Sequence, residues 1–363
     1  MEFARFTELC RRLRASPGKL AKRDLIADYL RALPPAAIGT AVAFLTGRAF
    51  PASDPRVLGV RGLPAIESDA AGPPLTLDDV ALAFAAVADS SGAGSRRARD
   101  DLLRRLIARA SPEERETLQR IVSGELRTGV SDGLVLEAIA RAADAPLPTT
   151  RRAALLLGDL SAVASLAAQG GAAALESTSA RPGVPLLPML AQIAEDFEEV
   201  LAAHGGTSAL EYKYDGARIQ LHRDGDRIAV WTRRLSDVTR SLPDVVEIAQ
   251  RELTAAPFIL DGEVLALDAA GRPLPFQELM RRFRRVHEVE RLVREMPLAL
   301  HFFDCLMADG RSLIHEPYAR RWEALSGVTG GRYLAERAVV TSAEAGREFL
   351  ARALAAGHEG VMA

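Results

Sequence analysis

Of the 46 basic residues in this chain of 363, only Lys19, Lys22 and Lys213 are lysines, and the other 43 are arginines. Arginine holds an anion through a planar fork and keeps its proton, whereas lysine can be deprotonated to a nucleophilic amine. Lys213, the one lysine after residue 22, is therefore a candidate nucleophile on composition alone, with chance survival as the competing explanation. Its surroundings carry more information. The segment Glu211-Tyr212-Lys213-Tyr214-Asp215-Gly216-Ala217-Arg218 sets the amine between a predicted strand and a tight Asp-Gly turn, with an arginine close behind. A hairpin with a surface lysine would show the same local pattern.

Further short segments follow in a fixed order: Trp231-Thr232-Arg233-Arg234, Leu260-Asp261-Gly262-Glu263-Val264, Pro275-Phe276-Gln277, His301-Phe302-Phe303-Asp304 and Glu359-Gly360-Val361-Met362. Each has an ordinary explanation by itself. Phe303 as core, Glu263 as a salt-bridged strand end and Arg233 as a solvated charge are all reasonable readings. Their joint order is harder to explain that way. KYDGAR resembles the KxDGxR nucleotidyltransferase motif of ATP-dependent ligases and mRNA capping enzymes. The later segments resemble the remaining motifs of ATP-dependent DNA ligases, in the order that family has them. Gly124-Glu125-Leu126-Arg127-Thr128-Gly129-Val130 and the run from Arg181 to Leu190 are similar to the helical DNA-binding domain and its junction in replicative-type ligases of eukaryotes and archaea. Capping enzymes and RNA ligases lack that domain. The resemblance covers essentially the whole chain.

The resemblance implies an ATP-dependent DNA ligase that uses ATP and Mg²⁺ on nicked double-stranded DNA, with roles in DNA repair, replication and recombination. Lys213 would take AMP from ATP as a lysyl phosphoramidate, pass it to a 5′-phosphate, and the adjacent 3′-hydroxyl would displace it. Glu211 would accept from the adenine amino group and Phe303 would stack on the ring. Arg218 and Arg233 would contact ribose and phosphates, and Glu263 and Glu359 would lie by the ribose and the metal. Arg218 and the metal would also favour the neutral amine. Asp215 takes a supporting role. An RNA ligase or capping-type nucleotidyltransferase is the alternative among enzymes, and a non-catalytic nick-binding protein is the alternative from another class. The sequence ends at Ala363, inside or just after the second acidic motif. The family continues there into a lysine-containing motif and an OB-fold domain, so the expectation is a truncated chain that binds nicks but seals them poorly.

The elements that must position these residues fall into two textures. Up to about Arg152 apolar residues recur at helical spacing, as in Phe3-Phe6-Leu9-Leu13 and Leu102-Leu103-Leu106-Ile107. Thr76 and Ser111 stand as helix N-caps, with Asp79 and Glu114 three residues on. Pro51 to Pro74 is expected as a surface connection, and Gly170 to Gly183 as a linker. After about Pro185 alternation takes over: Ala217-Ile219-Leu221 and Ile228-Val230 flank Asp224-Gly225, which predicts a hairpin. Phe258 to Leu267 and Leu298 to Leu306 are predicted strands, and Leu242 to Leu253 and Phe276 to Met296 predicted helices. The expected architecture is an all-α DNA-binding domain over 1–170, a junction over 171–190 and an α+β, ATP-grasp-like adenylation domain over 191–363 with a largely antiparallel sheet.

Composition bounds the rest. At this length two domains are expected, and hydrophobic content of 48% with 26% charged residues is ordinary globular composition. A net charge of −2 leaves nucleic-acid contact to local basic patches. Arg281-Arg282-Phe283-Arg284-Arg285 is one such patch, equally explained as a solvated helix face balanced by Glu288, Glu290 and Glu295. Gly92-Ala93-Gly94-Ser95 ahead of Arg96 and Arg97 is a weaker phosphate signal. No run of 18 apolar residues appears and the N-terminus lacks a signal-peptide core, so a cytoplasmic monomer is expected, nucleoid-associated if bacterial. Cys10 and Cys305 match no metal spacing and are expected reduced and buried.

Overall fold

The computed structural model describes residues 2–65, 72–92, 94–254, 257–268, 271–283 and 289–363. The chain divides into two compact units, Met1–Ser179 and Ala180–Ala363.

The first unit is helical: α1 (Phe3–Ala15), α2 (Lys19–Arg31), α3 (Pro35–Leu45), α4 (Leu77–Asp89), α5 (Ser95–Ile107), α6 (Pro112–Val122), α7 (Asp132–Ala142), α8 (Leu147–Leu157) and α9 (Leu160–Glu176). Local chemistry starts several of them as the spacing predicts. Thr76 accepts from the Asp79 amide while the Asp79 carboxylate accepts from the Thr76 amide, and Ser111 and Glu114 form the same reciprocal box ahead of Pro112. The helices bury one face each against a core whose centre is aromatic. The Phe6, Phe44 and Phe84 rings meet edge to face at 5.9 Å per pair, and all three are fully buried. The described parts of Pro51 to Pro74 carry no helix or strand.

One expectation in this unit changes. The segment from Gly170 is helical to Glu176, because the alanine-rich run after Gly171 has strong helix propensity. Gly171 itself leaves helical geometry at φ 59, ψ −151 and kinks α9 instead of ending it. In the glycine segment, Ala93 lies outside the described residues, and Gly94 takes a left-handed φ of 81 as the N-cap of α5.

The second unit runs α10 (Phe197–Ala203), β1 (Ser208–Lys213), β2 (Ala217–Asp224), β3 (Arg227–Thr232), α11 (Pro243–Arg251), β4 (Phe258–Ala266), α12 (Phe276–Phe283), α13 (Val289–Glu295), β5 (Leu298–Ala308), β6 (Arg311–Ser312), α14 (Tyr318–Thr329), β7 (Arg337–Val340), α15 (Ala343–Ala355) and β8 (Gly360–Met362). Its strands form two antiparallel sheets, ordered β7-β1-β8 and β3-β2-β4-β5-β6. The hairpin at Asp224-Gly225 is present, with Asp224 opposite Arg227. Ile219, Leu221, Leu260, Val264 and Phe302 fill the core under the larger sheet, and Leu210, Val340 and Phe349 form a smaller core under the other.

Of the basic cluster, Arg284 and Arg285 lie outside the described residues, as do Glu288 and the Glu290 side chain. Arg281 is exposed and pairs with Glu278. Arg282 is fully buried, its guanidinium 2.5 Å from Asp244 and 3.0 Å from the Met296 carbonyl. A buried arginine needs such partners, so Arg282 is a structural clamp and neither tracks a phosphate nor lies on a solvated face. Cys10 and Cys305 are both free thiols and buried. Among the described residues no helix is long and apolar enough to cross a membrane.

Candidate active site

Lys213 is the last residue of β1, the central strand of the smaller sheet, and the next strand, β2, belongs to the larger one. The segment Tyr214-Asp215-Gly216 is therefore a crossover between sheets and not the tight turn of a hairpin. Gly216 does not take a positive φ. A Cβ there would fall on the Val264 carbonyl oxygen and 2.8 Å from the Glu263 Cγ, so glycine is required by close approach to β4. Gly262 has the same role one strand away, where a Cβ would lie 2.6 Å from the Phe302 ring. Both Asp-Gly pairs bring backbones together at the site.

The crossover is held from both sides by Tyr214. Its ring stacks on His301 of β5 at 4.2 Å and meets His358 edge-on at 4.7 Å, and its hydroxyl accepts from the Glu336 amide at 2.9 Å. The Lys213 side chain is about half exposed and its amine is ion-paired with Glu359. The Glu359 amide donates to the Lys213 carbonyl at 3.1 Å, and Lys213 sits opposite Gly360 in the β1–β8 ladder. The amine is thus paired with a carboxylate in this structure.

Arg218 on β2 gives a bidentate fork to Asp261, Nε at 3.0 Å and Nη2 at 2.7 Å, and donates from Nη1 to the Met189 carbonyl at 3.1 Å. Asp261 is buried, so its pairing with Arg218 offsets a desolvation cost that burial otherwise imposes. The guanidinium also lies 5.7 Å from the Phe303 ring centroid. Phe303 owes its placement to a β-bulge. Asp261 faces Asp304 and Gly262 faces Phe302, which leaves Phe303 as the extra residue of β5. Phe302 is the fully buried core ring, and Phe303 is only partly buried.

The carboxylates are arranged in unfavourable company. Glu263, opposite Arg218 in the β2–β4 ladder, is pushed up to about 8 by burial and by Asp261, against the pull of Arg218; Asp215 adds to the rise and Lys213 opposes it. Glu211 on β1 is pushed up to about 7, mainly by burial, with the Tyr318 hydroxyl bond pulling it back, Asp304 raising it and Arg337 lowering it. Among the described residues no group of three or more His, Cys, Asp or Glu side chains could cage a metal. A buried carboxyl with Asp261 and Asp215 nearby is nevertheless a place where a hard divalent cation is stabilising, and Mg²⁺ commonly binds one or two carboxylates together with substrate phosphates. Glu263 and Glu359 fit that donor set.

Arg233 is the outlier of the predicted set. Its side chain is exposed and it joins the site only through its backbone amide, which donates to the Arg218 carbonyl at 3.1 Å. Asp261, Tyr318 and Arg337 were not singled out from sequence. Asp261 stood inside the LDGEV segment, so its charge was a usable signal, whereas nothing local marks Tyr318 or Arg337. A cavity of about 580 Å³ elsewhere in this unit, lined by residues such as His222, Arg227, Asp237 and Arg240, includes none of the predicted residues.

A single amine at a strand end, a carboxylate against it, a fixed arginine fork and a part-exposed aromatic ring suit covalent nucleotidyl transfer. Comparison with known proteins is more specific. Residues 188–363 match the family described as ATP dependent DNA ligase domain, and residues 63–140 match DNA ligase N terminus. The chain is 44% identical over 373 aligned residues to a "Probable DNA ligase" of Anaeromyxobacter dehalogenans, covering all of this chain and 71% of that protein. It is 35% identical to a "DNA ligase" of Thermococcus fumicolans, covering all of this chain and 72% of that one. A solved structure titled "Pmar-Lig_PreS3" shares the fold, with a TM-score of 0.58 at 18% identity over 98% of this chain and 73% of that one. The chain belongs to the ATP-dependent DNA ligase family. Membership carries with it the use of ATP and a DNA substrate.

Proposed function

We propose that Lys213 is the nucleophile of nick sealing in this chain. Its amine attacks the α-phosphorus of ATP, a P–N bond forms, the bond to the β-phosphate oxygen breaks, and pyrophosphate leaves with those electrons. The amine proton lost in this step passes to solvent or to a carboxylate of the site. The AMP then transfers to the 5′-phosphate of a nick, releasing the lysine, and attack by the 3′-hydroxyl closes the phosphodiester and releases AMP. The helical unit, Met1–Ser179, supplies DNA binding, and Ala180–Ala363 carries the nucleotidyl transfer. In this reading Glu211 meets the adenine amino edge, Phe303 its face, and Arg218 and Arg233 the ribose and phosphates. Glu263 and Glu359 would hold Mg²⁺, which when bound would supply positive charge against the phosphates. The protein acts as a monomer.

The observation that carries the reading is the sheet-to-sheet crossover that holds the one lysine of this unit against Glu359 and near Glu263 and Arg218. Mass spectrometry after incubation with ATP and Mg²⁺ tests it. An AMP adduct is expected on Lys213 and none in Lys213→Arg, because guanidinium offers no free amine. An undiminished adduct in that variant would place the nucleophile elsewhere. Gel-shift titration on nicked duplex at two salt concentrations tests the partner, with affinity expected to fall steeply as salt rises.

A further inference from the structure

Glu211 is not alone at the edge assigned to the base. It faces Arg337 directly across the β1–β7 ladder, and its Oε1 accepts from the Tyr318 hydroxyl at the first position of α14. Among the described residues no donor reaches Oε2. Tyr318 is held with unusual care for a half-buried tyrosine. Arg337 lies 5.3 Å from its ring centroid and 4.6 Å from that of Trp322, one helical turn along α14. Arg321 lies 5.8 Å from the same tyrosine ring, with Nε 2.7 Å from Asp304. Asp304 follows Phe303 in the chain. The start of α14 thus ties Glu211 in one sheet to the Phe303-Asp304 bulge in the other, the two places assigned to the edge and the face of the base.

We propose that Tyr318 is a positioning residue for base selection: its hydroxyl occupies one oxygen of Glu211 and leaves the other as a pure acceptor, favouring a purine with an exocyclic amino group over one with a carbonyl. This rests on the reading in which Glu211 meets the base. The logic is that of donor and acceptor matching. A carboxylate accepts from an amino group and repels a carbonyl oxygen, whereas a neutral carboxyl can donate to that carbonyl and loses the discrimination. Burial and Asp304 push Glu211 toward the neutral form, and the Tyr318 bond and Arg337 oppose them. Tyr318 therefore acts on the purity of the acceptor as well as its direction.

Equilibrium binding of ATP and of inosine triphosphate, which carries a carbonyl where adenine carries its amino group, tests this on the whole chain with Mg²⁺. The intact protein is expected to prefer ATP. Tyr318→Phe keeps the ring and its two guanidinium contacts, and is expected to narrow that preference roughly ten-fold or more by losing one hydrogen bond to a charged group. Arg337→Lys, which keeps the charge and loses the stacking, should move it the same way by less, and serves if the phenylalanine variant does not fold. Glu211→Gln separates the layers of the argument. If it collapses the preference while both other variants leave it unchanged, Tyr318 does not set selectivity. If it too leaves the preference unchanged, Glu211 does not meet the base and both readings fall. Binding of neither nucleotide by the intact chain would sink the nucleotide assignment of the site and this inference with it.

Discussion

The two units treat their carboxylates in opposite ways. In the helical unit Glu8, Asp54, Asp79 and Glu116 are all held below the usual carboxylate range, each chiefly by an arginine partner. In the second unit Glu211, Asp261 and Glu263 are all pushed up, each chiefly by burial. The first arrangement is what stability alone selects, since a paired surface carboxylate costs nothing to keep charged. The second is unfavourable for the protein by itself and becomes favourable when a cation, an amino group or a substrate arrives. Local charge pairing is kept in the helical unit and gives way to burial around Lys213 in the second.

The largest expected effect falls in the helical unit. Phe44→Ala removes the middle ring of the Phe6–Phe44–Phe84 cluster from a fully buried position and should cost about 3–5 kcal/mol. Both tryptophans, Trp231 and Trp322, lie in the second unit. Far-ultraviolet circular dichroism should therefore melt early while the tryptophan fluorescence midpoint stays put. Coincident melting of both signals would show that the units do not respond separately, and the contrast drawn between them would fail.

A pH series is the next sharpest probe. Glu211 titrates near 7 when folded against an ordinary 4.5, so the folded state holds a proton that the unfolded chain has released between those values. The second unit should lose stability as pH rises through that window, with Glu211 contributing no more than roughly 1.4 kcal/mol for each pH unit crossed. Glu263, at about 8, extends the same trend. Glu211→Gln should flatten the lower part of the slope in tryptophan fluorescence melts. A slope equal to that of the parent would mean that the buried carboxyl is solvated well enough to stay charged.

Much of this is legible in the sequence, and most of what is not shares one cause: partners distant along the chain. The capping boxes at Thr76 and Ser111, the hairpin at Asp224-Gly225 and the strands β4 and β5 depend on residues near in sequence, and the spacing found them. Asp215-Gly216 misled because an Asp-Gly pair signals a turn locally, while the need for glycine here comes from β4, far along the chain. Arg282 looked like a surface charge because Asp244, its partner, precedes it by 38 positions. Tyr318 and Arg337 reach Glu211 only through the β1–β7 ladder and the packing of α14. The stretch from Gly170 to Glu176 misled for a different reason, since its two glycines outweighed the helix propensity of the alanines that follow them.

Phe303→Ala should act on binding with little effect on folding, because Phe302 and not Phe303 fills the core. Base–aromatic stacking of roughly 1–3 kcal/mol would make the loss in ATP affinity about five- to a hundred-fold, with nicked-duplex affinity changed less. Nucleotide affinity equal to that of the parent would assign Phe303 to its contact with Arg218 and nothing more.

The smallest effect tests the helical side of the comparison. Thr76→Ala removes one half of the box that starts α4 and should cost about 1 kcal/mol, seen in circular dichroism and absent from tryptophan fluorescence. Its partner Asp79 also receives an Arg109 bond at 2.9 Å, which is the main reason its carboxyl sits below the usual range. The sign is opposite to that of Glu211. Stability from Asp79 is fully present above its ordinary value of 3.8 and is lost as pH falls below it. With a third of the Asp79 side chain exposed, solvent screening keeps this contribution to a fraction of a kcal/mol. Asp79→Asn should therefore melt slightly early at neutral pH and approach the parent as the buffer is acidified toward about pH 3. If the gap between them widened on acidification, Asp79 would be stabilising its helix as a neutral group, and the charge-paired character assigned to this unit would be wrong at the position where it is best defined.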